Sequence, residues 1–215
     1  MSTIALSIGG ETVTTKLAMR MEDSLQAFAV RAACFIGELD VPYSEEFDGH
    51  DFGATHIIAY VGDEPAGTLR VRWFQSFAMP ERLAVLQRFR GHNIGQLLLE
   101  RARKLAESRG CNMLYAQVLP ADVKYWEKQG WRRLVAEDAS SGDKRIVAVV
   151  RAVDPSKPLP DVEAPESVVL RREAQLDASG LPLGQRPTEL NASVRPASAG
   201  LNVLSASKIP WPPKG

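Results

Sequence analysis

The chain has 215 residues, 26 basic and 26 acidic, with no formal net charge, 45% hydrophobic and 24% charged residues. That is the composition of an ordinary globular protein, and it argues against a nucleic-acid-coating surface. Two cysteines, Cys34 and Cys111, and three scattered histidines, His50, His56 and His92, make neither a disulfide framework nor a metal-ligand spacing, so reduced thiols and no metal are expected. No run approaches the ~20 apolar residues of a membrane span, and no basic-then-apolar leader is visible. A soluble, cytoplasmic chain is the expectation, with no membrane partner.

Proline marks the organisation. Of the 14 prolines only Pro42, Pro65, Pro80 and Pro120 precede Asp154, and Trp211 is the one aromatic residue after it. A segment so composed buries little apolar area of its own and reads as a linker or a docking arm. The expected division is a domain over 1–153 and a Pro-rich extension over 154–215.

In chain order, the pattern predicts a strand over 15–21, then a helix capped by Asp23 or Ser24. Its apolar face would carry Leu25, Phe28, Ala29, Ala32, Phe35, Ile36 and Leu39. A polar stretch over 43–53 holds Glu45, Glu46, Asp48 and Asp51. Strands over 55–61 and 66–74 flank a Gly-Asp-Glu-Pro turn, and a further strand runs over 82–87. A helix over 94–108, with Ile94, Leu97, Leu98, Ala102, Leu105 and Ala106 inward, stops at Gly110. A strand over 112–119, a short helix over 121–129 ended by Gly130, and a strand over 144–150 complete the series. Helices interspersed among strands in this way require an α/β fold with helices packed on a central sheet.

The segment from Arg82 to Leu98 is a strand, a loop with Gly91 and Gly95, and a helix with no acid in its first turn. Such a junction leaves backbone N–H groups unpaired at the positive end of a helix dipole, where they suit a phosphate. Glycine permits close approach, Asn93 tolerates the left-handed conformation, and Arg88, Arg90 and His92 add positive potential.

Arg90-Gly-His-Asn-Ile-Gly95 resembles the coenzyme A loop of the GNAT N-acetyltransferase superfamily, and Leu83-Ala-Val85 resembles the strand that precedes it. Tyr125-Trp-Glu-Lys-Gln-Gly-Trp131 is similar to the family's aromatic-Tyr-Glu-Lys-x-Gly-Phe helix end. Arg31 to Glu38, Pro42, Glu46, Asp48, Asp51 and Ala54-Thr-His56 together resemble an ElaA-like branch. The likeness covers about 15–152. It implies a mixed, mostly antiparallel sheet with helices on both faces, and acetyl-CoA as co-substrate. It also implies a pyrophosphate held around Arg90, Gly91, His92, Asn93, Ile94, Gly95 and Gln96, and a pantetheine arm paired with Ala84, Val85 and Leu86.

The family's tyrosine, the acid that protonates the leaving thiolate, aligns with Trp126, whose N–H does not titrate near neutrality. Tyr125 is one position away, about 100° around the helix, and is either the acid or a half-buried surface aromatic. Glu81 is the candidate base, since an extended strand would turn it to the same side as Leu83 and Val85; the alternative is a solvated carboxylate. Arg31 and Glu38 are candidate substrate-binding residues, although Arg31 also suits a structural pair with one of the nearby carboxylates. His56 reads as a satisfied sheet histidine rather than a base.

The leading function is an acetyl-CoA-dependent transfer to a primary amine of a small molecule or peptide, by direct attack in a ternary complex. Two others stand beside it: an acyl-homoserine-lactone-synthase-like transferase using longer donors, and a coenzyme A-binding sensor with little turnover. A homodimer involving the C-terminal arm is a further expectation; nucleic acid is not an expected partner.

Overall fold

The structure, a computed structural model, describes residues 6–74, 77–134, 147–154, 156 and 157; the extension expected over 154–215 lies outside them apart from Asp154, Ser156 and Lys157. Strands β1 (Ser7–Ile8), β2 (Glu11–Leu17), β3 (Thr55–Val61), β4 (Glu64–Trp73), β5 (Phe77–Val85), β6 (Met113–Val118), β7 (Arg132–Arg133) and β8 (Val147–Ala152) form one sheet in the order β1-β2-β3-β4-β5-β6-β8-β7. Every neighbouring pair is antiparallel except β5 with β6. Helices α1 (Met21–Arg31), α2 (Tyr43–Glu46), α3 (Ile94–Ser108) and α4 (Val123–Lys128) are the α-helices among the described residues. The α/β class is as the residues imply, and the mixed, mostly antiparallel sheet is as the resemblance implies.

The largest apolar cluster joins Ile57, Leu69 and Val71 of the sheet to Ile94, Leu98, Leu99 and Ala102 of α3, which follows the helix's apolar spacing. Gly67 lets the strands pass close beneath α3: a Cβ there would meet Ala84 O at 3.0 Å and Ile94 Cγ2 at 3.1 Å.

The first helix departs from its predicted face. It begins at Met21, with Asp23 in its first turn accepting from the Met19 and Arg20 N–H groups. Leu25 and Ala29 point outward, while Ala27, Val30 and Arg31 are buried. An ion-paired arginine takes a core-facing position that a count of apolar residues gives to its neighbours. Beyond Arg31 the coil widens into a π-helix, Ala32–Glu38, which buries Cys34 and Phe35 against Ala84.

Candidate active site

β5 and β6 pair only at Phe77↔Met113 and Ala78↔Leu114 among the described residues, so the two parallel strands part along the rest of β5. The edge exposed there is set by alternation. Leu86 N–H donates to Ala66 O across the β4 side, so the N–H and C=O of Val85 turn to the split. Ala84, opposite Thr68, faces β4 as well. Of the three residues expected to pair with a pantetheine arm, Val85 therefore turns its N–H to the split, its carbonyl already accepting from Arg90 Nε at 2.9 Å, with Leu83 two positions before it. Ala84 and Leu86 do not: Ala84 and the Leu86 N–H face β4, and Leu86 O accepts from Phe89 N–H at 2.9 Å.

A β-bulge explains the placement of Glu81. Arg70 is opposite Glu81 while Thr68 is opposite Ala84, so β5 carries one extra residue, and Arg82 takes a left-handed φ of 54°. The bulge breaks the alternation. Leu83 packs beside Gly95 on the α3 side, whereas Glu81 lies on the other face, 3.1 Å from Arg70 Nη2 and 3.6 Å from Arg72 Nε. The premise that Glu81 shares a side with Leu83 and Val85 fails, and two guanidinium groups engage its carboxylate.

At the mouth of the split, Gly91 (φ 82°) and Asn93 (φ 60°) curl the chain into α3. Asn93 is the N-cap in left-handed geometry and its side chain makes no capping bond. Leu97 N–H is the first to reach back, to Asn93 O at 3.0 Å, which leaves the Ile94, Gly95 and Gln96 amides without intrahelical acceptors. This cradle fits a phosphate. The arginines contribute less than their sequence position promises: Arg88 pairs with Glu64 and covers the Phe89 ring. Arg90 turns away from the loop, donating from Nε to Val85 O at 2.9 Å and from Nη2 to Glu38 Oε2 at 2.6 Å. His92 accompanies the turn through Nδ1, 3.0 Å from Arg90 O. Glu38, expected at a substrate, is instead Arg90's partner. Cys34 lies in the same place, Sγ 3.5 Å from Val85 O, with its thiol pushed up to about 11 by burial and then by Glu38, so it keeps its proton near neutral pH.

α4 places Tyr125 and Trp126 in opposite roles. Trp126 is buried and packs edge-on against Trp131 at 4.8 Å. Tyr125 leans on the main core, and its hydroxyl lies 3.7 Å from where a Cβ on Gly95 would stand. The aromatic hydroxyl thus sits at the start of α3, beside the split. Burial raises its pKa, so the phenol keeps its proton at neutral pH.

Arg31, the other candidate substrate residue, is fully buried. Its Nε donates to Glu46 Oε1 and its Nη1 to Asp51 Oδ1, both at 2.5 Å. It belongs to a network with Arg70, Arg82, Glu46, Asp48 and Asp51 and is out of a substrate's reach. His56 joins it through Nε2, 3.1 Å from Asp51 O, and burial holds its pKa down. Of this network the sequence reading offers only the Arg31 pairing with a nearby carboxylate; the bulge and the parts of Arg70 and Arg82 are not in it. The adjacent Glu81 and Arg82, two charges side by side in an alternating strand, are the signal that points to a bulge. No cluster of three or more potential metal ligands occurs among the described residues.

A strand edge and an amide-rich helix end meet at one split, an arrangement whose chemistry suits a long, phosphate-bearing ligand. The profile of the Acetyltransferase (GNAT) family matches residues 24–131, and the chain belongs to that family of acyltransferases. It is 30% identical over 118 residues to a protein of Bacillus subtilis (strain 168) described as uncharacterized N-acetyltransferase YjcF, covering 55% of this chain and 84% of that one. Its fold matches the crystal structure of a Lactobacillus plantarum N-acetyltransferase with a TM-score of 0.59 at 22% identity, over 66% of this chain and 98% of that chain. Escherichia coli ElaA shares the fold at 0.55 and 17% identity, over 65% and 99%.

Proposed function

We propose that the chain transfers an acetyl group from acetyl-CoA to a primary amine by direct attack in a ternary complex. The observation that carries this reading is the Tyr125 hydroxyl beside Gly95, where the amide cradle meets the β5 edge that faces the split. The donor supplies an activated acyl carbonyl on a good leaving group. The Ile94, Gly95 and Gln96 amides hold its pyrophosphate, and Leu83 and Val85 hold its arm as an added strand. The amine nitrogen bonds to the carbonyl carbon and the C–S bond breaks. Tyr125 gives its proton to the departing sulfur, and the phenolate regains one from the proton released by the nitrogen. With Glu81 held by two arginines, the amine reacts as its neutral fraction.

The test is thiol release from acetyl-CoA with a panel of primary amines, for the full chain and Tyr125→Phe. The expected loss of kcat is about 100-fold or more, with acetyl-CoA affinity kept. Coenzyme A binding without thiol release for any amine would favour a sensor, and a fully active Tyr125→Phe would remove the acid from the scheme.

A further inference from the structure

Arg82 is a buried, non-glycine residue in left-handed backbone geometry, in the strand that lines the split. Such conformations persist only where the surroundings over-determine them. What holds this one comes from a different part of the chain. Arg82 Nη2 lies 2.6 Å from Glu45 O and 3.0 Å from Asp48 Oδ2, and its Nε lies 3.4 Å from Glu46 O and 3.1 Å from Glu46 Oε2. The same short segment is gripped from below by Arg70, bidentate to Asp48 at 2.7 Å, and by Arg31. The 45–51 segment is therefore a fixed anchor, and the Arg82 side chain ties β5 to it.

The consequence lies on the opposite face. Without the extra residue, the alternation of β5 beyond Glu81 would shift by one, and Leu83 and Val85 would trade edges with Ala84 and Leu86. We infer that Arg82 is a positioning residue for acyl transfer: anchored by the Glu45 to Asp48 segment, it holds the bulge that turns the Leu83 and Val85 peptide groups toward the split. The inference rests on the proposed acetyl-CoA reading for what that edge binds, and on the geometry alone for what holds it.

Arg82→Gly separates the two contributions, since glycine accepts a φ near 54° without strain but lacks the anchor. Amide hydrogen exchange needs no turnover: over residues 79–86 of the full chain it should rise about tenfold or more in Arg82→Gly, with α3 unchanged. Kinetics follow the same logic. kcat should fall by about 100-fold, the scale of an ~1 Å misplacement, and the dissociation constant for acetyl-CoA should rise by a smaller factor, because the arm loses its strand edge while the α3 amides still hold the pyrophosphate. Millimolar guanidinium chloride should restore part of kcat in Arg82→Gly, where sodium chloride does not. Arg82→Lys, whose single ammonium nitrogen can replace Nη2 but not also the Nε contact to Glu46, should stay folded with an intermediate kcat. Unchanged exchange in Arg82→Gly, or a wild-type kcat, would overturn the inference. So would a loss of fold in Arg82→Gly together with full activity in Arg82→Lys. Failure of the wild-type chain to bind acetyl-CoA would instead overturn the functional reading, and the exchange result would still decide what Arg82 holds.

Discussion

Arg90 shows how a residue at the right place in a motif can serve a different part of the site. Its guanidinium, nearly buried, spans Val85 O and Glu38 instead of facing the loop it opens. A phosphate ligand held by backbone amides does not lose a counter-charge when this side chain goes. Arg90→Met should therefore leave the salt dependence of coenzyme A binding unchanged, as read by titration calorimetry at several ionic strengths. It should lower the melting temperature by several degrees, because a buried charge-assisted hydrogen bond to Val85 O is worth about 1.5–3 kcal/mol. A clear drop in salt dependence would return Arg90 to the phosphate. At Tyr125 the sign follows from burial: with its pKa raised, the proton donor is lost only at high pH. The alkaline limb of kcat should lie above the ordinary tyrosine value of about 10 and be absent in Tyr125→Phe.

At the scale of elements, two backbone positions support the loop and the helix behind it. Asn93→Gly preserves the left-handed cap and should keep coenzyme A affinity. Asn93→Ala strains it by roughly 1 kcal/mol and should weaken binding several-fold. Gly67→Ala meets Ala84 O and Ile94 with no flexible side-chain end to yield first, so a loss of about 1–3 kcal/mol in denaturant unfolding is expected. These elements were legible because each speaks through local chemistry: Gly91, Asn93 and Gly95 encode a turn into a helix, and the spacing from Ile94 to Ala106 encodes its buried face. The bulge at Arg82, the π-turn over Ala32–Glu38 and the exact edge on which Val85 lies are set by tertiary partners. Arg31 and Glu38 read as candidate substrate residues, and Arg82 as an ordinary strand position, because the counter-charges of all three are 15 to 52 residues away. Tyr125 was ambiguous for the same reason, since which of two adjacent aromatics faces α3 depends on how Trp126 packs on Trp131.

For the whole molecule, the face opposite α3 is built around charge. Arg31, Arg70, Arg72 and Arg82 interleave with Glu46, Asp48, Asp51 and Glu81, and the arginine side chains are at most 3% exposed. Burial works against ionised Asp48 and Asp51, but Arg70 with Arg82, and Arg31 with Arg70, outweigh it and hold both carboxyls below the ordinary aspartate range. Burial also holds His56 neutral, below its ordinary value. In each case the unfolded chain binds more protons than the folded one, so stability rises with pH across the window between the two values. For His56 the window opens below about pH 6.5, and for the aspartates below about 3.9. Thermal unfolding followed by circular dichroism should show a flat melting temperature above pH 7, a shallow decline below about 6.5 and a steep one below about 4. His56→Asn should remove the shallow step and leave the steep one. Asp48→Asn leaves buried Arg70 and Arg82 short of a partner and should cost about 3–5 kcal/mol already at pH 7, with a smaller acid step remaining. Because these charges are buried, 0.5 M sodium chloride should change the profile little. A salt-sensitive profile would mean that the network is open to solvent, and that it could not hold β5 in place.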